Sequence, residues 1–343
     1  MAFLHGVFRF DTGICRLALR QRFGPLIAAK AGKGKRSVSE AAASWKIGEA
    51  RITAIVEQSL SMDGLISRAR PETLAEIPWL HPDFVDETGK MLGLVQCFVV
   101  ELGGKVALVD TCVGDHKDLP TDPAWNKQVF GLIGKLRNVG FDAQRVDMVL
   151  CTHLHLDHVG INTYLSNGVW HPTFPKARYL FSRTEYEYWQ AEAAREPVDP
   201  ATLSKPFEQF RAGFQATQRL VHEQSVEPVF AAGLAELVDP PCEPMPGLRL
   251  VSTPGHTPGH VSVEVSSAGE KALITGDAFH HPCQIARSDW ATVADYDRDE
   301  STATRKAMLE DLENTGALML GSHFARPTGG RVVRDGETWK LET

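Results

Sequence analysis

His153-Leu154-His155-Leu156-Asp157-His158 places four metal-ligand side chains in six positions, directly behind the apolar run 146–151. That run predicts a buried strand, so the cluster sits where a strand ends and the chain turns. Imidazole and carboxylate are the ligands of a catalytic zinc-like ion, which keeps one position open for water. His153 and His155, two apart on a turn, can converge on one ion. Asp157 and His158, further round the turn, can point at a second. Leu154 and Leu156 take the alternate positions that turn back towards the core. A histidine-rich loop that binds nothing does not account for this density. A single structural zinc is the better rival, but such sites usually recruit Cys and close all four positions.

Three turns downstream carry partners for these residues. Thr253-Pro254-Gly255-His256-Thr257-Pro258-Gly259-His260 follows an apolar segment, Thr275-Gly276-Asp277 ends another, and Gly321-Ser322-His323 ends a third. Each sets a ligand beside glycine, where backbone can bend close to a site. A lone His256 or His323 would be unremarkable; together after three strands they point to one site.

Around these turns the pattern predicts strands over 51–58, 94–102, 105–110, 177–181, 248–252, 260–266, 271–275, 317–320, 331–334 and 338–341. Helical spacing appears over 126–138, from 182 to about 195, over 206–223 and over 300–314. Ser182 and Glu185 have the spacing of a capping box, and Phe207, Phe210 and Phe214 share one side of the third helix. Strand runs with helices between them, in two similar halves, predict an α/β (α+β) protein of packed sheets with helices outside.

Composition bounds the rest. The 343 residues are 43% hydrophobic and 23% charged, with a net charge of −7, so the whole chain does not advertise nucleic-acid binding. No apolar run is long enough to span a bilayer. Six scattered cysteines without a C-x-x-C pair suit a reducing compartment, and a cytoplasmic location is expected. Cys151, beside the cluster, reads as part of the strand. Residues 1–45 form a basic extension, with eight Lys and Arg against Asp11 and Glu40. They lack the apolar core of a secretory leader. A domain over 46–343, with a helical insertion at about 182–224, follows.

The four motifs, in this order, resemble the metallo-β-lactamase fold superfamily, and the resemblance covers roughly 46–343. It implies a four-layer αββα sandwich with the site at one edge between the sheets. It implies that His153, His155 and His256 bind one metal, that Asp157, His158 and His323 bind a second, and that Asp277 bridges them. Asp110 resembles an outer position that steadies the ligand loops, and His260 an outer neighbour of His256. Two divalent ions per chain follow, with Zn²⁺ foremost and Fe, Mn or Co also suited to these donors.

Such an ion pair would share a hydroxide that attacks a carbonyl or phosphoryl centre, with Asp157 placed to pass a proton. Asp277 argues against β-lactam hydrolysis, and His155 against the flavodiiron branch. The expected substrate is a small carboxylic ester or lactone, with phosphotriesters as a side activity. His280 stands where related lactonases carry Tyr, which favours the methyl parathion hydrolase branch and makes His280 a catalytic candidate. N-acyl homoserine lactonase is the alternative, and a non-catalytic metal-binding module a second. Phe279, His281 and Trp290, around that loop, are expected to wall the pocket. Related hydrolases suggest a homodimer.

Overall fold

The computed structural model describes residues 42–343, without the side chains of residues 206, 207 and 210. The basic extension expected over 1–45 therefore lies outside the described residues up to position 41, as do the side chains of Phe207 and Phe210. The end of that stretch belongs to the domain, because β1 (Ser44–Ile47) pairs antiparallel with β2 (Ala50–Ser61).

The chain continues through β3 (Leu92–Leu102), β4 (Lys105–Val109), β5 (Met148–Leu150), the small hairpin β6 (Thr163–Ser166) and β7 (Val169–Pro172), β8 (Arg178–Ser182) and β9 (Ala235–Val238). Without the hairpin these make a seven-stranded sheet in the order β1-β2-β3-β4-β5-β8-β9. A second seven-stranded sheet runs in sequence order through β10 (Cys242–Met245), β11 (Leu248–Ser252), β12 (Val261–Ser267), β13 (Glu270–Ile274), β14 (Leu318–Leu320), β15 (Gly329–Asp335) and β16 (Thr338–Glu342). Pairing is parallel for β4–β5, β5–β8, β8–β9 and β13–β14, and antiparallel elsewhere.

Alternation along the strands sorts side chains into three cores, as a period of two requires. Phe98 and Val100 of β3 join Ile52, Val109 and Leu150 in packing on Leu250, Val263, Ile274 and Leu320 of the other sheet. Val95, Cys97 and Val99, on the opposite face of β3, pack under the helices with Leu132, Tyr186 and Val229. On the far side, Met319 and Val332 pack against Leu309 and Leu312 of the helix Arg298–Thr315. Helix, sheet, sheet, helix is the four-layer αββα sandwich that the motifs implied.

Two helical readings change. The stretch 126–138 is helical only over Leu132–Asn138, because Gly131 enters at φ 70° and Asp115 Oδ1 holds the backbone N–H groups of Phe130 and Gly131 in a turn. Val129, inside the stretch expected to be helical, is 63% exposed. Ser182 precedes the helix Arg183–Ala193, but its side chain makes no cap; Glu185 is drawn elsewhere, as described below. The third helix spans Pro206–Val221 and passes through a π turn, His222–Val226, into Glu227–Ala231.

Candidate metal centre

Strand ends deliver every candidate ligand. β5 runs into Cys151 and Thr152 and then the turn 153–158, β11 into 253–260, β13 into 275–281, β14 into 321–323, and β4 into Asp110. Backbone bonds hold these turns together: Val261 N–H donates to Thr152 O at 2.9 Å and Thr275 N–H to Leu320 O at 2.9 Å. Gly276 lies at φ 54°, and a Cβ there would fall 2.6 Å from His260 Nε2. Only glycine lets this turn pass so close to the ring.

The ligand atoms of His153, His155, His256 and Asp277 lie within 4.8 Å of one another, as do those of Asp157, His158 and His323. Asp277 divides its two oxygens between the sets. Oδ2 is 3.7 Å from His153 Nε2 and 3.5 Å from His256 Nε2. Oδ1 is 3.3 Å from His158 Nε2 and 3.1 Å from His323 Nε2. All these side chains are buried except Asp157, which is 16% exposed and lies 3.5 Å from His323 Nε2.

The hydrogen bonds assign the free nitrogens. His158 Nδ1 donates to Asp110 Oδ2 at 2.9 Å, His323 Nδ1 to Leu94 O at 2.8 Å, and His256 Nδ1 to Asp295 Oδ1 at 3.1 Å. In the neutral rings each Nε2 then carries a lone pair directed at the cluster. His158 Nε2 and His323 Nε2 face each other at 3.3 Å, His256 Nε2 and His155 Nδ1 at 2.9 Å, and His153 Nε2 has no hydrogen-bond partner. The facing Nε2 lone pairs of neutral His158 and His323 repel unless a proton or a metal cation lies between them.

Electrostatics point the same way. Burial works to lower the pKa of His323, but Asp277 and Asp157 outweigh it and push it up to about 9. Around His158, burial is likewise overcome by Asp277, Asp110 and Asp157, and the pKa is raised. The carboxylates call for positive charge at this spot, which a divalent ion supplies. Burial, reinforced by neighbouring histidines, keeps His153 and His155 neutral and so fit to ligate.

Asp110 and His260 stand outside the ligand sets. Asp110, at φ 59°, accepts from Thr152 N at 2.8 Å as well as from His158. His260 Nδ1 donates to Thr253 O at 3.0 Å while its Nε2 accepts the N–H of Asp277 at 2.9 Å. That second bond needs a neutral ring, and burial lowers the His260 pKa to about 3. His280 enters the cluster itself: its Nε2 is 3.1 Å from Asp277 Oδ2, and its ring lies 4.7 Å from that of His256 and stacks at 5.8 Å on that of His323. Cys151 is buried in the core against Asn162, away from any ligand set.

Two carboxylates escaped the sequence reading. Asp295 orients His256, and nothing in its local sequence marks it. Glu185, expected to cap its helix, is buried instead, with Leu154 N at 3.1 Å, Trp189 Nε1 at 2.7 Å and Gly259 N at 3.0 Å.

The pocket reading is corrected. A cavity of about 750 Å³ reaches His155 and His256 and is walled by Tyr188, Trp189, Phe214, Val293 and Tyr296, with Arg211 at its side. Phe279 and Trp290 belong to the core beneath the second sheet, and His281 Nε2 donates inward to Phe84 O at 2.9 Å. The segment 279–290 turns into the body, so Tyr188, Trp189 and Phe214 of the helices form the wall instead, together with Val293 and Tyr296. Phe214 and Trp189 lie edge-on to His155, at 5.2 and 5.4 Å between ring centroids.

Fold and site together define a metal-dependent hydrolase. The chain belongs to the Metallo-beta-lactamase superfamily, whose family model matches residues 91–320. It is similar to an N-acyl homoserine lactonase of Bacillus thuringiensis, 24% identical over 255 residues that cover 68% of this chain and 83% of the relative. Among solved structures, the hydrolase AbOPH superposes with a TM-score of 0.70 at 24% identity, covering 88% of this chain and 97% of the other. AidC, a dizinc quorum-quenching lactonase bound to a product, superposes at 0.66 with 21% identity and the same coverage. The centre is a divalent-metal site. No helix among the described residues is long and apolar enough to cross a membrane.

Proposed function

We propose that this chain hydrolyses a carboxylic ester or lactone at a two-ion centre. His153, His155 and His256 would hold one divalent ion, Asp157, His158 and His323 the other, and Asp277 both. The observation that carries this reading is the division of Asp277, with Oδ2 facing one histidine set and Oδ1 the other. Zn²⁺ suits these donors best, and Fe, Mn or Co accept the same set.

Bound ions supply Lewis acidity for the carbonyl and acidify water. The protein does the rest. Tyr188, Trp189, Phe214 and Tyr296 offer an apolar wall beside His155 and His256, which holds an acyl or aryl group with its carbonyl towards the cluster. His280, with Nε2 on Asp277 and its ring between His256 and His323, is the positioned group able to donate a proton to, or accept one from, the reacting oxygen. Asp157, the partly exposed donor, is placed to pass a proton towards solvent.

N-acyl homoserine lactonase activity is the second, narrower reading, favoured by the likeness to the Bacillus thuringiensis lactonase. Metal-reconstituted protein assayed side by side on p-nitrophenyl esters, N-acyl homoserine lactones and paraoxon-type triesters would rank the classes. Turnover of esters or lactones that vanishes in Asp277→Ala is the expected result. Turnover unchanged by that substitution would exclude this site as the catalyst.

A further inference from the structure

Arg305 has no part in the reading above, yet among the described residues it is the largest side chain buried completely, at 0% exposure. It lies on the helix Arg298–Thr315, which covers the outer face of the second sheet. Its Nε donates to Ser288 O at 2.8 Å, and Nη1 reaches Ser301 Oγ at 2.5 Å, Ala278 O at 3.4 Å and Asp295 Oδ2 at 3.4 Å. Asp295 also collects Thr292 N at 3.0 Å, Thr292 Oγ1 at 2.9 Å and Ser301 Oγ at 3.0 Å, while its Oδ1 takes His256 Nδ1. Guanidinium, carboxylate and imidazole thus form a continuous chain from the outer helix to the metal cluster.

Withdrawing a guanidinium from water is expensive, and an ion pair repays it only in a well-bonded setting. The other ion group has a carboxylate in the equivalent place, since His158 Nδ1 donates to Asp110. Asp110 is otherwise held by Thr152 N and Thr152 Oγ1, with no cation in contact among the described residues. Each ion group therefore has one imidazole backed by a carboxylate, but only the carboxylate behind His256 is backed by a cation. A carboxylate behind a ligating imidazole raises its donor strength and fixes its ring, and a cation behind the carboxylate moderates the first effect while securing the second.

We infer that Arg305 is a positioning residue for the ion group of His153, His155 and His256, acting through Asp295 to hold His256 Nε2 towards the cluster. The inference rests on the two-ion reading. Arg305 makes the two ion positions unequal: it holds the Asp295 carboxylate in place, so His256 retains the acceptor for its Nδ1 proton. Without Arg305, Asp295 loses the buried partner that holds it in place, directly and through Ser301, and can turn away. That would loosen His256 and leave His158 and Asp110 untouched.

The test is metal affinity. Wild type, Arg305→Met, Arg305→Lys and Asp295→Asn would be loaded with Co²⁺ and titrated against a chromophoric chelator. Arg305→Met should weaken one ion about 10- to 100-fold, the range for losing an outer partner of a metal-bound histidine. The other ion should stay within about twofold of wild type, and Arg305→Lys, which keeps the charge, should recover part of the loss. The Co²⁺ absorption bands should change for one ion only. Asp295→Asn should show the same selective loss, which keeps the test sound if Arg305→Met does not fold. Equal weakening of both ions, or none, would overturn the inference. Uptake of a single ion by wild type would sink the two-ion reading instead, and Arg305→Met must then still weaken that ion.

Discussion

Glu185 and Gly259 are joined twice: Glu185 Oε2 accepts the Gly259 N–H at 3.0 Å, and a Cβ on Gly259 would fall 2.1 Å from Glu185 N. The other carboxylate oxygen takes Leu154 N. One side chain therefore ties the turn of His153 and His155 to the turn of His256.

Glu185→Ala would leave the Leu154 and Gly259 N–H groups and the Trp189 indole N–H buried without that acceptor. At about 1–3 kcal/mol for each orphaned donor, the loss should be roughly 3 kcal/mol or more. Urea denaturation of wild type and variant measures it, and a loss below about 1 kcal/mol would show that the brace is dispensable. Gly259→Ala should lower metal content as well, because the ligand turn must retreat from the helix.

His280→Ala should reduce kcat about 100-fold or more while metal content stays at the wild-type level, the pattern of a lost proton carrier. Metal analysis beside steady-state kinetics checks both halves. Loss of an ion with the activity would make His280 a ligand rather than a proton carrier.

Phe214→Ala opens the cavity wall beside His155. Removing an aromatic contact worth about 1.5 kcal/mol should raise KM roughly tenfold for aryl or long-acyl substrates and change kcat little. Short acetyl esters should barely respond. A uniform effect across chain lengths would argue that acyl groups bind elsewhere.

Glu57 offers a pH test away from the cluster. Its carboxylate, on β2, accepts Val113 N at 3.0 Å and Gly114 N at 2.9 Å, and burial, partly offset by these bonds and Lys135, raises its pKa from near 4.5 to about 7. Between these values the folded chain keeps a proton that the unfolded chain has lost. Stability should therefore fall as pH rises from about 4.5 to 7, by roughly 3 kcal/mol in total, and level off above. Glu57→Gln should remove that share of the slope. Parallel pH curves for the two proteins would show that Glu57 does not titrate in this window.

The candidate ligands were legible because metal chemistry restricts donor types and strand ends restrict where donors can stand. All seven candidate ligands, from His153 to His323, meet in one cluster from turns the sequence marks by apolar runs and glycine. Less was legible where tertiary neighbours decide. Ser182 and Glu185 have capping spacing, but three buried donors outside that local pattern claim the Glu185 carboxylate. Asp295 reaches His256 across 39 positions of sequence, a separation no local pattern records. Trp290 stands near the His280 loop in sequence but points into the core. The strands β6, β7, β9 and β10, four residues each, are too short to display a period.

The pairing of two separate sheets has a consequence for how the molecule matures. The first sheet contributes His153, His155, Asp157 and His158, whereas His256, Asp277 and His323 all arrive on the second. On the proposed ligand sets, neither half would complete a coordination shell alone. An ion would then be held only once both sheets have met, and would act as a clasp that resists the halves sliding apart.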